Sequence, residues 1–270
     1  MQHLMTPDQL KTPADVDALA RDLYGPDFCG PDFDPTPGVV HVTSAWRTPA
    51  GTLRTILIND SSPKSAYDFF VLNFSRARAD AIVITGKILR EEENVSHRLQ
   101  GEAATALERW RRERRGESAP ISLVLSSGRG LDLDHRLFQD AERAVVYTSE
   151  EGRQRLAGPA QERGIEVVAG AGIRGAVTWL RDQGAGTIAI EAGPSSAQQL
   201  YRAPILVDEL LLSVYEEPHL PAAAVGLDAS YLETASSSGS ADGREVSEGG
   251  RWRFSRHLSL TAIGDNSDGR

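Results

Sequence analysis

Short apolar runs alternate with helical segments through the middle of this 270-residue chain, and this alternation constrains the fold more than any other feature of the sequence. The runs lie at 81–84, 121–125, 144–147, 165–168 and 187–190. Strands that alternate with helices are joined by right-handed crossovers and form a mostly parallel sheet. The sequence therefore predicts an α/β fold in which helices flank a mostly parallel central sheet.

The last quarter of the chain breaks this rhythm. A long strand is predicted at 207–215, and residues 252–260 alternate in the manner of an antiparallel strand. Between them, residues 219–250 are rich in Ala, Ser and Gly and have turn character, and the serine tract at 236–240 is predicted to be a loop or hairpin tip. We therefore expect antiparallel strands to close the sheet at its C-terminal end.

Two predicted strands and a helix precede the alternating region. Residues 39–47 and 55–58 are typical of strands, and residues 60–63 are typical of a helix start. The apolar residues that follow, from Tyr67 to Ala77, recur on one face of that helix.

The N-terminal residues are predicted to form a segment of their own that clasps either the body of the chain or a partner subunit. Thr12 and Pro13 are typical of a capped helix start, and residues 25–38 contain a doubled Gly-Pro-Asp-Phe string and further prolines. We therefore divide the chain into an N-terminal helix with a Pro/Gly-rich arm at 1–38 and a single domain at 39–270.

The charge balance and the hydropathy pattern exclude several classes of partner. Acidic residues outnumber basic ones by 38 to 29, and this formal net charge of −9 has the wrong sign for a nucleic-acid-binding surface. No apolar run approaches the roughly 18 residues that a membrane span requires, and the first residues do not form a basic and then apolar leader. We expect a cytoplasmic protein that contacts neither nucleic acid nor membrane.

Metal and nucleophile motifs are also missing from the sequence. The lone Cys29 has no partner for an internal disulfide, so we interpret it as a small filler residue. The six histidines lack metal-ligand spacing, and no Gly-x-Ser-x-Gly motif is present. We expect no metal site.

Three polar or glycine-rich loops follow predicted strands, at 85–87, 126–128 and 192–196. Ligands of open α/β sheets bind outside the carboxyl ends of the strands, so the loops are expected to converge on one cleft. After the third loop, a helix beginning near Ser195 would offer backbone amides to an anion. The residues predicted to bind a cofactor are Thr85, Gly86, Lys87, Ser126, Ser127, Ala192, Gly193, Pro194, Ser195 and Ser196.

A Gly-x-Gly-x-x-Gly string at 170–175 also lies between a predicted strand and a helix, with Glu191 downstream. This arrangement is typical of a dinucleotide fingerprint. Too few strand–helix repeats follow it for a two-half dinucleotide fold, so we prefer to interpret it as a glycine-rich entry to a crossover helix. The carboxylates at 91–93 are interpreted as a solvated face near the cleft, and residues 109–115 as an exposed surface or oligomer-contact helix.

Four stretches of the chain resemble the C-terminal reductase domain of the bifunctional riboflavin-biosynthesis deaminase/reductase. They are the helix end and strand at 76–84, the strand and Asp-x-x-Leu-Phe-like element at 123–138, the turn Ile188-Ala189-Ile190-Glu191-Ala192-Gly193-Pro194, and Leu206-Val207-Asp208-Glu209-Leu210. The similarity spans residues 53–217 and the closing strand at 251–260, whereas residues 1–38 have no counterpart.

The resemblance implies a dihydrofolate-reductase-like fold and NADPH bound across the strand ends. It implies that Gly86 and Lys87 face the cofactor phosphates, that Ser126 and Ser127 face the adenosine side, and that residues 193–196 face the pyrophosphate. It also implies a homodimer. A long strand such as the one predicted at 207–215 often pairs or packs across the twofold axis of a dimer.

The chain departs from the family pattern in three places. The family's first strand runs into a Ser-Leu-Asp-Gly-Lys/Arg loop, with which we compare residues 58–64; either Asp60 or Lys64 could replace the lost polar group. Ile88 stands where the cofactor loop carries a hydroxyl, and residues 215–220 replace a glycine-rich segment.

These observations predict an NADPH-dependent reductase of a small polar heterocyclic or carbonyl substrate. The predicted catalytic residues are Asp60 and Glu191, and the predicted substrate contacts are Asn59 and Lys64. The alternative is a degenerate family member that binds a nucleotide or associates with itself without catalysis.

Overall fold

The computed structural model describes residues 4–26, 28, 38–237 and 243–258. Cys29, most of the predicted arm and the end of the serine tract lie outside these residues. The strands are β1 (Gly38–Arg47), β2 (Leu53–Ile56), β3 (Ala81–Thr85), β4 (Ile121–Leu125), β5 (Ala144–Thr148), β6 (Glu166–Ala169), β7 (Thr187–Glu191), β8 (Glu209–Tyr215), β9 (Val225–Asp228), β10 (Arg244–Ser247) and β11 (Arg251–Leu258). The helices are α1 (Pro13–Tyr24), α2 (Ala66–Arg78), α3 (Gly86–Glu91), α4 (Ala104–Arg115), α5 (Arg136–Asp140), α6 (Glu150–Gln161), α7 (Gly172–Asp182), α8 (Pro194–Ala197) and α9 (Ser230–Ser237).

One sheet joins the strands in the order β10-β11-β8-β1-β7-β3-β4-β5-β6. The pairs from β8 through β6 are parallel, whereas β11 is antiparallel to β8 and to β10. This confirms the predicted α/β fold with a mostly parallel sheet and antiparallel C-terminal strands. A second antiparallel group was not predicted: β2 pairs with β1, and β9 pairs with β2.

The helix α2 covers the sheet with the predicted apolar face, but it starts later than predicted. Ser65 is the N-cap, and its hydroxyl accepts a hydrogen bond from the Asp68 amide. The predicted start at 60–63 is therefore wrong, since these residues belong to a loop after β2. Tyr67, Phe70, Val71, Phe74 and Ala77 are buried as predicted.

The N-terminal helix α1 packs on the body of its own chain. Thr12 and Asp15 form a capping box at its start, as the sequence predicts for Thr12 and Pro13. Asp17 accepts a hydrogen bond from Trp110 Nε1 at 2.6 Å and forms an ion pair with Arg114 at 2.7 Å. The prediction of a merely exposed helix at 109–115 is wrong, because α4 buries Trp110 completely against α1 and α2.

Residues 219–250 contain regular structure that their composition does not indicate. They form β9, α9 and β10, and Ser236 belongs to the end of α9 rather than to a loop. The long strand β8 lies between β1 and β11, so both of its edges are paired within the chain. Edge pairing of this strand with a second copy is therefore wrong, whereas packing across a twofold axis stays a prediction.

The glycine motif at 170–175 accommodates a tyrosine of the same chain. A Cβ on Gly170 would overlap the Tyr147 hydroxyl, and a Cβ on Gly175 would lie 2.7 Å from the same oxygen. The motif runs from the end of β6 into α7, which confirms its interpretation as a glycine-rich entry to a crossover helix. Gly170 and Gly175 make room for Tyr147.

A buried cluster of charges ties α2 to two strands. Arg78 donates to Glu209 at 2.6 Å, and the other oxygen of that carboxylate pairs with Arg256. The Arg256 guanidinium lies 4.2 Å from the ring centre of Phe28. Burial would raise the pKa of Glu209, but Arg78 and Arg256 outweigh burial and hold this pKa below its ordinary value. The carboxylate is thus ionised and joins α2, β8 and β11.

None of the helices in the described residues has both the length and the apolar character needed to cross a bilayer.

Replacing Glu209 tests how much this cluster contributes to the free energy of unfolding. We expect Glu209→Ala to lower the free energy of unfolding by about 3–5 kcal/mol, because two buried guanidinium groups lose their counterion. The matched control is Glu117→Ala, which removes an exposed 4.0 Å pair with Arg112 and should change stability by less than about 1 kcal/mol. Urea unfolding at neutral pH measures both, and equal effects would contradict the role of the buried cluster.

A second pair of variants tests the packing of Tyr147 against the glycine motif. Gly175→Ala should destabilise the protein because the new Cβ crowds the Tyr147 hydroxyl. In a Tyr147→Phe background the same change should become neutral or stabilising by up to about 1 kcal/mol, since alanine is the better helix former. Gly170→Ala should not be rescued, because its Cβ would also overlap the ring. An unchanged effect of Gly175→Ala in both backgrounds would contradict this packing.

Candidate active site

The three predicted loops lie side by side at one edge of the sheet. The strands β7, β3 and β4 are neighbours and run parallel, so their carboxyl ends meet at the same edge. Direct proximity is visible between two loops, since a Cβ on Gly86 would lie 2.8 Å from Ser126 Oγ. The structure thus brings the predicted cofactor residues together at the ends of neighbouring strands, and their role in binding a cofactor stays a prediction.

Several of these side chains face outward from the edge. Lys87 is 62% exposed and forms a 3.7 Å ion pair with Glu91 one helical turn away. Ser127 and Ser195 are exposed, Ser126 is partly buried, and Thr85 is buried. Lysine and hydroxyl groups are therefore accessible to a ligand at this edge.

Gly193 leaves open space in the third loop. Its backbone lies at φ −61° and ψ 163°, which any residue can adopt, and a Cβ built on it would meet nothing within 4 Å. The fold does not require a glycine here, and a ligand could approach the backbone closely.

The anion pocket predicted after Gly193 is weaker than expected. The helix begins at Pro194 instead of Ser195 and has only four residues before a 3-10 turn at Gln198–Tyr201. The amides of Ser196 and Ala197 both donate to the Gly193 carbonyl at 3.0 Å, so they are already used within the loop. A dipole of the predicted strength is not available from so short a helix.

The predicted substrate residues lie in another loop, which follows β2. Lys64 Nζ donates to the Asn59 carbonyl at 2.9 Å, and Asn59 Nδ2 donates to the Ala223 carbonyl at 2.8 Å. Asp60 is exposed in the same loop. Across the ranges that the structure describes, no hydrogen bond or ion pair joins these three residues to the strand-end loops. Their proposed part in substrate binding stays a prediction.

The loop after the first strand is not the one that the sequence comparison selected. The strand β1 ends at Arg47, and a tight turn follows in which the Thr48 amide donates to the Thr52 carbonyl at 2.9 Å. Residues 58–64 come after β2, and their comparison with the Ser-Leu-Asp-Gly loop stays a prediction. The residues after β1, Thr48-Pro49-Ala50-Gly51, carry no ionisable side chain.

Glu191 is held by a buried arginine at the end of β7. Arg76 Nε and Nη2 each donate to one carboxylate oxygen at 2.7 Å, and the two side chains are 5% and 7% exposed. Burial would raise the pKa of Glu191, but Arg76 outweighs it and holds this pKa below the ordinary value. The predicted catalytic role is untested, and the geometry supplies an ionised carboxylate with both oxygens engaged.

Two further residues near Arg76 and Glu191 were not identified as site residues from the sequence, namely His97 and Glu92. His97 is buried, its Nδ1 lies 2.9 Å from Ser122 Oγ, and burial lowers its pKa to about 4. Glu92 has a raised pKa, chiefly because of burial and then because of Glu191 and Glu91. Nothing in the acidic run at 91–93 distinguishes its middle residue, since the difference arises only when α3 places it beside β7.

A cavity of about 470 Å³ lies elsewhere, beside α4 and the residues that lead into β4. His97, Arg111, Ser122 and Asp140 are among its lining residues, and the strand-end loops are not. Within the described ranges, no three His, Cys, Asp or Glu side chains form a group that could hold a metal ion.

Several solved structures share this fold. A pyrimidine reductase-like protein of Corynebacterium diphtheriae has 22% identity and a TM-score of 0.60, with coverage of 92% of this chain and 98% of the other. RibD of Acinetobacter baumannii has 17% identity and a TM-score of 0.57, with coverage of 83% of this chain and 58% of the other. A diaminohydroxyphosphoribosylaminopyrimidine deaminase/5-amino-6-(5-phosphoribosylamino)uracil reductase of Thermotoga maritima has 13% identity and a TM-score of 0.50, with coverage of 83% and 57%.

At these identities the solved structures share the fold with this chain. The chain spans little more than half of the Acinetobacter and Thermotoga proteins, whereas it covers nearly all of the corynebacterial protein. No curated protein sequence matches the chain. A family model, however, matches more than half of it, over residues 50–215. The chain belongs to the RibD C-terminal domain family.

Proposed function

We propose that this protein is an NADPH-dependent reductase of a small polar heterocyclic or carbonyl substrate, of the riboflavin-pathway type. The observation that carries the proposal is the convergence of three loops at the carboxyl ends of β7, β3 and β4, with open space above Gly193. Membership of the RibD C-terminal domain family supports a reductase.

The residues at this edge offer the chemistry that a dinucleotide requires. Gly193 leaves the backbone approachable, Lys87 offers a cation to phosphate, and Ser126, Ser127 and Ser195 offer hydroxyl groups. The cofactor, when bound, supplies a hydride. The protein would bind and orient it, and would hold the substrate carbon toward it.

A second candidate function is binding without catalysis. It is favoured by the turn at Thr48–Thr52, which lacks any ionisable side chain, and by the loop that contains Asn59 and Lys64, which bond to each other. A family member of this kind would keep the strand-end loops that bind a nucleotide and lose the polar groups that act on a substrate.

Unfolding experiments with NADPH, and a variant of Gly193, test whether the coenzyme binds at this edge of the sheet. NADPH at 100 times its dissociation constant should raise the free energy of unfolding by about 2.7 kcal/mol. Gly193→Val should fold with nearly unchanged stability, because its Cβ meets no atom, yet bind NADPH at least about tenfold more weakly by filling the approach.

The controls for this experiment are Gly193→Ala and NADH. The Gly193→Ala variant should bind NADPH more tightly than the Gly193→Val variant does. Comparing the affinities for NADPH and NADH shows which coenzyme the protein prefers. Absence of stabilisation by either coenzyme would contradict the proposal. Binding without reduction of 5-amino-6-(5-phosphoribosylamino)uracil or of other small heterocyclic and carbonyl compounds would favour the second candidate.

We also propose a cytoplasmic homodimer that forms through the β2–β9 face. In the described part of the sheet, β9 pairs with β2 and has no strand on its other edge. Leu57, Ile58 and Leu227 are 42%, 59% and 50% exposed in this region. An apolar group beside an open strand edge supports pairing with a second copy.

Sedimentation of charged variants tests this surface. The wild-type protein should sediment at twice the 29.2 kDa chain mass, and the double variant Ile58→Glu/Leu227→Glu should sediment as the monomer. Leu258→Glu, at a residue of similar exposure on β11, is the matched control and should stay dimeric. A wild-type protein that sediments only as a monomer would rule out the dimer.

A further inference from the structure

A second cavity, of about 430 Å³, lies beside β10 at one end of the sheet. Arg21 from the last turn of α1 and Arg244 from the start of β10 line it, together with Gly25 and Gly243. The strands β11, β8 and β1 lie between β10 and β7, which carries the loop with Gly193. This cavity is therefore separate from the candidate active site.

The two arginines of this cavity differ from the other arginines of the chain in their pairing. Within the described ranges, the arginines whose guanidinium group has no hydrogen-bond or ion-pair partner are Arg21, Arg90, Arg202 and Arg244. Arg90 and Arg202 are exposed, so water solvates their charge. Arg21 and Arg244 are partly buried, and both line the same cavity.

Acidic side chains of α1 and β10 that could neutralise these arginines are engaged elsewhere. Asp17 on α1 pairs with Arg114 at 2.7 Å, and Glu245 on β10 pairs with Arg253 at 2.5 Å. Asp22 also lines the cavity, but it is exposed, and among the described residues its carboxylate forms no ion pair. The cavity wall therefore keeps two uncompensated positive charges.

Two unpaired guanidinium groups around one cavity are unfavourable, because they repel each other and have lost part of their hydration. An anion between them would compensate both effects. The planar fork of arginine matches the oxygens of phosphate, and the two positive charges balance a phosphate dianion, whereas a carboxylate would balance only one. The volume falls within the range of about 300–1,000 Å³ that is typical of small-molecule sites.

Both arginines lie outside the part of the chain that the family model matches. Arg21 precedes residues 50–215 and Arg244 follows them. The helix α1 supplies one wall of the cavity, and the edge strand β10 supplies another. Membership of the family therefore does not imply this cavity or its charge.

We propose that Arg21 and Arg244 form a binding site for a phosphate dianion, either as inorganic phosphate or as the phosphomonoester of a small molecule. The site goes beyond the proposed reductase function and does not depend on it. Because one arginine belongs to α1 and the other to β10, the bound anion would join the N-terminal helix to the edge of the sheet.

Calorimetric titration with inorganic phosphate tests this site. The wild-type protein should bind phosphate saturably, and phosphate should raise its melting temperature more than potassium chloride does at the same ionic strength. Arg21→Gln and Arg244→Gln should each weaken phosphate binding by at least about tenfold, since each removes a charge-assisted contact. Arg202→Gln is the matched control, because it removes an exposed arginine without a partner, and it should bind phosphate like the wild type.

Melting temperatures without phosphate separate lost binding from lost folding. Arg21→Gln and Arg244→Gln should melt at the same temperature as the wild type or higher, because each removes one of two like charges. Glycerol 3-phosphate, with glycerol as the neutral control, distinguishes the two sources of the anion. Tighter binding of glycerol 3-phosphate than of phosphate would identify a phosphomonoester site, and equal or weaker binding would identify a site for inorganic phosphate.

Three results would overturn the phosphate site. They are a wild-type protein that binds neither compound or responds equally to potassium chloride, unchanged phosphate binding in both arginine variants, and a lower melting temperature of both variants without phosphate. The last result would show that the arginines stabilise the fold by themselves. None of these results bears on NADPH binding, which the Gly193→Val variant tests separately.

Discussion

Two arginines in the last turn of α2 hold the sheet and its covering helix in one arrangement. Arg76 fixes the end of β7 through Glu191, and Arg78 fixes β8 and β11 through Glu209. Side chains two positions apart on a helix point in different directions, so one turn reaches different strands. Since breaking a buried pair leaves an uncompensated charge, displacing α2 from these strands is costly. The position of the loop after β7, which contains Gly193, depends on where α2 lies.

The alternation of strands and helices was sufficient to predict the parallel core, because buried parallel strands require apolar runs and crossovers require helices. The same reasoning failed where composition carries little information. The helix α9 and the strand β9 lie within an Ala-, Ser- and Gly-rich segment, and only pairing with β2 makes β9 a strand. The helix start at Ser65 was missed because Ser61 and Ser62 offer the same capping chemistry, and chain geometry decides among them.

The candidate site was predictable in its backbone and less so in its side chains. Loops that follow neighbouring parallel strands must share an edge, so the convergence near Gly86 and Gly193 followed from strand order. Which carboxylates are charged there could not be read from the sequence. Arg76 is 115 residues from Glu191 along the chain, and the acidic run at 91–93 contains three residues of identical chemistry. Burial and long-range pairing, which separate these groups, exist only in the folded protein.

The tyrosine that faces the glycines at 170–175 bears on how such strings are interpreted in other chains. Its hydroxyl occupies the volume that Gly170 and Gly175 would otherwise open to a pyrophosphate, so the same spacing here serves internal packing. A bulky aromatic on the strand beside a Gly-x-Gly-x-x-Gly turn is therefore a criterion for rejecting a fingerprint match before any coenzyme is assigned to it.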